Sequence, residues 1–427
     1  MRRRSITAIV TVILAVATLV VFKLCLNGAY KDVNKDRSGI VYTQMPNAPL
    51  ASVPLASTPD SDTQTETEPT TTEPEGTHVS REKAQALLDS MTLEEKVYQL
   101  FVVTPELLTG VAPVTAGGEM TRQALASKPV GGIVYFSDNI RSRKQITDMI
   151  TNTQSYSKIP LFIGVEEEGG TVARVSDRLG TTAVSPMATY GEQADAQAVL
   201  DIGKTIAADI AQFGFNLNLA PVADVITNSN NTALGSRSFG TDAAVTSEMV
   251  AAMVQGLQEG GVLSCLKHFP GEGGAQTDAQ TGASVSTRTL AELRQAELLP
   301  FRAGIEAGAQ LVMVSHMSAP SITGSNVPCD LSAEIVTNLL RGEMHYQGIV
   351  ITDSHQLNAI TNSYTSAEAA VLALQAGCDM ILMPDGLTDA ANGILSAIER
   401  GDLTEARIDE SVLRILTLKY QIKLCKD

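Results

Sequence analysis

Lys267 and His268 stand side by side at the end of a hydrophobic run, Val262 to Leu266, and a Phe269-Pro270-Gly271 turn follows at once. An ammonium group and an imidazole delivered at the end of a buried strand suit a polar ligand that is gripped by hydrogen bonds. A second such delivery is Asp353. Gly348-Ile349-Val350-Ile351-Thr352 is too apolar to be an exposed strand, and it ends directly in this carboxylate. A carboxylate fixed on a rigid element can attack an anomeric carbon. The competing use of Asp353 is as the N-cap of a following helix.

Other apolar runs end the same way. After Leu161–Val165 come Glu166-Glu167-Glu168-Gly169-Gly170, with Arg174 close behind. After Phe215–Ala220 come Asp224, Asn230, Asn231 and Arg237. Ser315-His316 follow Leu311–Val314, and Asp385 follows Met380–Met383. Six successive runs with polar ends are more than loop polarity explains. Taken singly, Glu167 reads as solvent-facing, Asp385 as a turn residue, His345 as a helix-surface residue and His78 as a boundary residue. His316 reads as either a core histidine or a site member.

The elements that must position these groups are eight short apolar runs. They are Leu100–Val103, Gly132–Phe136, Leu161–Val165, Phe215–Ala220, Val262–Leu266, Leu311–Val314, Ile349–Thr352 and Met380–Met383. Helix-like stretches lie between them: Ala194–Gln212, Ala243–Gln258, Leu290–Ala307, Ala333–His345 and Ala367–Gln375. Thr92…Glu95 and Thr289…Glu292 are capping boxes, and Thr404 is an N-cap for a final helix over Glu405–Lys419. Strand–helix alternation repeated eight times predicts an α/β protein, a (β/α)8 TIM-type barrel with its site at the C-terminal ends of the strands. A doubly wound open sheet is the alternative, but its GxGxxG after the first strand is absent.

Of the 427 residues, 44% are hydrophobic, enough for a sizeable core, while the net charge of −16 excludes a nucleic-acid footprint. With no Trp and 4% aromatic residues, the chain offers few stacking surfaces for long polysaccharides, so a small hydrogen-bonded ligand is expected. Cys25, Cys265, Cys329, Cys378 and Cys425 follow no paired pattern and read as free thiols. No Cys/His cluster suggests zinc, and neither a metal nor a cofactor is expected.

Arg2-Arg3-Arg4 precede an apolar run from Ile6 to Phe22, which reads as an uncleaved signal anchor over residues 1–29. Residues 30–77 are rich in Ser, Thr, Pro and Glu and read as a disordered tether. The barrel is expected over residues 78–427, on the outer, cell-wall side of a cell membrane.

From about Glu82 to Leu424 the chain resembles glycoside hydrolase family 3, in its single-domain β-N-acetylglucosaminidase branch. Gly164-Val165-Glu166-Glu167-Glu168-Gly169-Gly170 resembles the family's V-D-x-E-G-G, and Ala220-Pro221-Val222-Ala223-Asp224-Val225 its A-P-V-x-D-V. Arg237-Ser238-Phe239 resembles R-S-F, Lys267-His268-Phe269-Pro270-Gly271 matches K-H-F-P-G, and Ile351-Thr352-Asp353-Ser354 is similar to the nucleophile segment. The resemblance implies a retaining glycosidase with Asp353 as nucleophile. It implies that Glu166, Arg174, Arg237, Lys267 and His268 hold the sugar.

Three positions depart from the pattern. The family's D-S-H triplet, whose His is the acid/base, is Asp278-Ala279-Gln280; its H-G is Glu272-Gly273; and its sugar-binding Asp is Glu166. A neutral amide cannot serve as general acid. Glu272 is the first candidate for that role, since glycosidases ordinarily use a carboxylic acid. Asp278 is the second, and His355 is an unexpected imidazole near the nucleophile. The expected ligand is an N-acetylglucosamine-containing saccharide or muropeptide. The leading expectation is a membrane-anchored exo-β-N-acetylhexosaminidase. The alternative is a sugar-binding protein on a hydrolase barrel that no longer turns over. A metal-dependent barrel hydrolase is disfavoured because no His-x-His ends an early strand.

Overall fold

The computed structural model describes residues 75–276 and 284–425. The expected signal anchor and the expected tether up to residue 74 lie outside the described residues, as do Asp278 and Gln280, while residues 75–77, expected to end the tether, begin the helix Glu75–Asp89. Among the described residues no helix is long and apolar enough to cross a membrane.

Eight parallel strands close into a barrel in chain order: β1 (Phe101–Val103), β2 (Gly132–Val134), β3 (Phe162–Val165), β4 (Leu217–Asn218), β5 (Leu263–Phe269), β6 (Leu311–Val314), β7 (Ile349–Ser354) and β8 (Met380–Leu382). Each falls on one of the eight apolar runs. The strands are buried because helices cover the barrel's outside and side chains fill its inside, so they read as continuous rather than alternating hydrophobic segments. β8 closes on β1 through Phe101↔Ile381 and Val102↔Leu382. A two-stranded antiparallel hairpin, Glu167–Gly169 with Val172–Ala173, stands on the rim directly after β3.

The helices start where the caps place them. Both capping boxes form, and the Thr404 side chain accepts from the backbone N–H of Arg407. The helices Ala196–Ala211 and Ala243–Glu259 cross at Gly203 and Gly256. A Cβ on Gly256 would stand 2.3 Å from the Leu200 carbonyl oxygen, so only glycine allows this approach.

Three expectations change. The stretch Leu290–Ala307 is two helices, Leu290–Gln295 and Leu298–Glu306. Pro300 has no N–H to return to the carbonyl of residue 296, and the chain breaks there. Residues Glu334–Glu343 form a wider π-type helix, and His345 lies past its end with φ +54°, exposed but not on a helix surface. β5 also runs three residues beyond Leu266, to Phe269, so Lys267 and His268 belong to the strand.

That extension has a local cause. Leu266 pairs with Val312 and Phe269 with Val314, so β5 carries one extra residue there. A bulge lets two consecutive side chains serve one rim instead of alternating faces. The segment after β4 follows β5 upward: the Lys267 N–H donates to the Pro221 carbonyl (3.1 Å), and the Ala223 N–H donates to that of Lys267 (2.6 Å).

At the opposite end, near the starts of β1 and β3, the fully buried Lys419 of the last helix (Glu405–Gln421) donates to Gln99 Oε1 at 2.9 Å and lies 5.0 Å from the centre of the Phe162 ring. Burial holds its ammonium group down at about 7, well below the ordinary lysine range. Below the lowered value both folded and unfolded chains carry the proton. Between it and about 10.4 the unfolded chain binds more protons, so stability rises with pH in that window. Lys419→Met is expected to remove this component. Urea unfolding at pH 6.5 and pH 9.5 checks it: the stability of wild type relative to the variant should increase at the higher pH.

Candidate active site

The site is built outward from β3. Asn218 on β4 clamps the backbone of Glu167 from both sides: its Oδ1 accepts the Glu167 N–H (3.0 Å) and its Nδ2 donates to the Glu167 carbonyl (2.9 Å). The Glu167 side chain is buried and does not face solvent as its sequence position suggested. It accepts the N–H groups of Val175 (2.6 Å) and Ser176 (3.0 Å) at the start of the short helix Arg174–Leu179. Unpartnered N–H groups at a helix start are natural carboxylate partners. This fixes the first residue of that helix, Arg174, whose guanidinium donates to Glu166 Oε2 at 2.9 Å.

Glu166 and Glu168 flank one ammonium group. Lys267 Nζ lies 3.1 Å from Glu166 Oε1 and 2.6 Å from Glu168 Oε1, and it is 1% exposed. Arg237 grips Glu168 with two hydrogen bonds, Nε and Nη2 each at 2.8 Å. Bidentate guanidinium–carboxylate pairs are among the stronger charge-assisted bonds. The chain of charges Arg174–Glu166–Lys267–Glu168–Arg237 has three cations against two carboxylates. Burial alone would raise Glu166, but Lys267 and Arg174 outweigh it and hold the carboxyl at about 2. Burial likewise opposes ionisation of Glu168, and Lys267 and Arg237 overcome it.

A second cluster sits across the cavity. Asp224, fully buried, accepts three hydrogen bonds: from the His268 N–H (3.1 Å), from His268 Nδ1 (2.8 Å) and from the Glu272 N–H (2.7 Å). It ties the strand end to the loop after the Pro-Gly turn. Burial would lower the His268 imidazole, yet the Asp224 and Glu272 carboxylates hold it above its ordinary range. Glu272 itself is pushed up, first by burial and then by Asp224 and Asp353, against the pull of His268, whose Nδ1 is 4.0 Å away. Ser315 at the end of β6 donates to Glu272 Oε1, and Asn231 Nδ2 donates to the Glu272 carbonyl at 2.8 Å. Gly273 keeps this loop flat on the barrel, because a Cβ there would stand 1.6 Å from the Val225 carbonyl oxygen.

Asp353 is the next-to-last residue of β7, and its Oδ1 accepts the Ser354 N–H at 2.7 Å. Glu166, Arg174, Arg237, His268, Glu272 and Asp353 together line a cavity of about 360 Å³. Phe136, Leu234, Met313 and Leu357 add apolar wall. The sequence-predicted residues among those described therefore converge, with Lys267 buried against Glu166, which lines the cavity, and Glu168, which does not. Asp278 stays outside the described residues. Sequence reasoning named Glu168, Asp224 and Ser315 among the polar strand ends but gave them no role in the site. The first two stand inside recognisable motifs, but only the fold shows Glu168 as the shared partner of Lys267 and Arg237, and Asp224 as the tie between His268 and Glu272.

His268 yields a direct prediction. A raised imidazole contributes stability that is fully present below about 6.5, its ordinary value, and is lost as pH rises through the higher folded-state value. Asp224→Asn removes the first carboxylate that holds it up. An NMR titration of the His268 ring should show its midpoint falling, and the protonation-linked stability below neutral pH should shrink with it.

With the geometry in place, the comparisons give the family. Residues 92–418 match the model described as the glycosyl hydrolase family 3 N terminal domain. Beta-hexosaminidase A of Pseudoalteromonas piscicida is 32% identical over 322 residues, covering 69% of this chain and 54% of that protein. Beta-hexosaminidase of Stenotrophomonas maltophilia (strain K279a) is 34% identical over 300 residues, covering 67% of this chain and 86% of that protein. The family 3 beta-N-acetylglucosaminidase structure from Paenibacillus sp. str. FPU-7 superposes with a TM-score of 0.74 at 32% identity, over 79% of this chain and 64% of that one. The chain thus spans about half the length of the first of these relatives and most of the second. The barrel, the ordered charge chain at its rim and the match over residues 92–418 agree: this chain belongs to glycosyl hydrolase family 3, of which it carries the N-terminal domain.

Proposed function

We propose that the chain is a retaining β-N-acetylhexosaminidase that removes terminal N-acetylglucosamine residues, with Asp353 as nucleophile and Glu272 as acid/base. The observation that carries this reading is that Glu272 and Asp353 line one cavity while Glu272 is half-buried and pushed up. A carboxyl group raised toward neutrality can hold a proton for a leaving group and later take one from water. The relatives named beta-hexosaminidase support the sugar.

In the first step an Asp353 oxygen attacks the anomeric carbon, the glycosidic C–O bond breaks, and the Glu272 proton goes to the departing oxygen. In the second, ionised Glu272 takes a proton from water, the water oxygen bonds to the anomeric carbon, and Asp353 is released. Glu166, Arg174, Arg237, Lys267 and His268 hold or organise the sugar hydroxyls. A cavity of about 360 Å³ lies near the lower end of small-ligand pockets, which favours one terminal sugar over a long chain. Asp278 is a second candidate for moving the proton.

The apolar Ile6–Phe22 segment and the Ser/Thr/Pro/Glu-rich stretch after it support a membrane-anchored domain working on cell-wall fragments, including muropeptides, outside the cell. The competing reading is a sugar-binding protein without turnover, favoured by Gln280 at the position where the family's acid/base histidine is expected.

Hydrolysis of an aryl N-acetyl-β-glucosaminide and of the unactivated disaccharide of N-acetylglucosamine separates these readings. Asp353→Ala should abolish both. Glu272→Gln should slow the disaccharide roughly 10²- to 10⁴-fold, about 3 to 5 kcal/mol of barrier, and the aryl substrate far less, because a good leaving group needs little protonation. Its rate should also lose the high-pH limb that reports an acid. An unchanged pH–rate curve in Glu272→Gln removes Glu272 from the role. Binding of N-acetylglucosamine with hydrolysis of neither substrate selects the non-catalytic reading.

A further inference from the structure

His316, Asp330 and His355 come from three separate loops, after β6, in the Cys329–Leu331 turn and after β7, and none of them lines the cavity. We propose that they form a divalent-metal site whose ligand set suits Zn²⁺. The inference concerns metal content and does not rest on the glycosidase reading.

All three residues are buried, at 2%, 0% and 1% exposure, and one ligand atom from each lies within 4.8 Å of the others. His316 Nδ1 and Asp330 Oδ1 are 3.0 Å apart, an ion pair while the ring is protonated, but out of line for a good hydrogen bond. Two buried polar atoms at contact distance but out of line with each other are left costly unless a third group accepts both. A metal ion is such a group. Ligand atoms held about 2.0–2.1 Å from a tetrahedral zinc stand roughly 3.4 Å from one another, a few tenths of an ångström from the two His–Asp separations of 3.0 and 2.9 Å.

The tautomer of His316 agrees. Its Nε2 lies 2.8 Å from the Ser354 carbonyl oxygen, which can only accept, so Nε2 carries a hydrogen and Nδ1 is the nitrogen that would give up its proton to a metal. An imidazole that donates its far N–H to a backbone carbonyl is the usual support of a metal-bound histidine. His355 Nε2 stands 2.9 Å from Asp330 Oδ2, and its Nδ1 is buried without a partner. Asp330 can therefore face one imidazole with each oxygen. Two imidazoles and one carboxylate favour zinc over magnesium or calcium, which prefer all-oxygen shells. The backbone of Asp330 is pinned as well, its N–H donating to the Ser315 carbonyl at 3.1 Å. An ion here would bind the β6 loop, the turn and Ser354 together, fixing the backbone next to Asp353 without touching substrate.

The test uses the full chain, stripped with chelator, reloaded with Zn²⁺ and desalted, with zinc counted by plasma mass spectrometry. About one zinc per chain is expected in wild type. Asp330→Asn and, separately, His355→Gln should each lower it at least tenfold, and added Zn²⁺ should raise the thermal midpoint of wild type but not of the variants. Cobalt in place of zinc should give the intense visible bands of a low-coordinate site in wild type alone. Wild type that retains no zinc overturns the proposal whatever the variants do, and leaves an ion-paired His-Asp-His cluster. A full equivalent surviving in a folded variant overturns it too, since the ion then sits elsewhere.

Discussion

The site depends on one buried ammonium group. Lys267 Nζ stands between Glu166 and Glu168, and without it two carboxylates would face each other at a buried rim. Taking such charges out of water costs several kcal/mol each, repaid only when every partner is in place. Here both carboxylates are engaged: Arg237 pairs with both oxygens of Glu168, and Arg174 takes the second oxygen of Glu166. Such networks respond to loss of a single member as a unit, because removal leaves an uncompensated charge. The bulge in β5 that places Lys267, the Glu167 cap that places Arg174 and the Asn218 clamp beneath them are all devices for holding this one chain of charges.

Much of this was legible in the sequence, for a physical reason. A parallel barrel buries both faces of its strands, so each strand appears as a short apolar run, and all eight runs mark strands. Capping boxes at Thr92 and Thr289 fix helix starts through local hydrogen bonds that need no knowledge of the fold. Strand ends then point to Lys267, His268 and Asp353. Pro300 also carried its signal, since a proline inside a helical pattern frees a carbonyl, but the continuous apolar periodicity around it masked the break.

The rest was set by contacts between distant segments. Glu167 looks like any acid in an acidic run until the N–H groups of Val175 and Ser176 are brought to it. Asp224 becomes the hinge of the second cluster only when the segment after β4 runs alongside β5. His316, Asp330 and His355 belong to no spacing motif; the barrel places β6 beside β7 and thereby brings their loops together. An expectation of no metal that rests on Cys and His spacing cannot sense a set of this kind.

The two halves of the cavity show how one residue type acquires opposite chemistry. Glu166 and Glu272 line the same space. Burial disfavours the charge of both. For Glu166 two cations within hydrogen-bonding distance reverse that, and the carboxyl stays ionised. Glu272 has one nearby imidazole, already engaged by Asp224, and two further carboxylates that add to its burden, so it holds a proton more readily than an ordinary carboxyl. A pair of like groups driven apart in this way is the arrangement by which a site keeps a permanent anion for grip and a movable proton for transfer. The neutral amide of Gln280 then has a consequence: with no titratable side chain at that position, the proton inventory of the loop after β5 falls to Glu272 and Asp278, and of these Glu272 is the one seated in the cavity by Ser315 and Asp224.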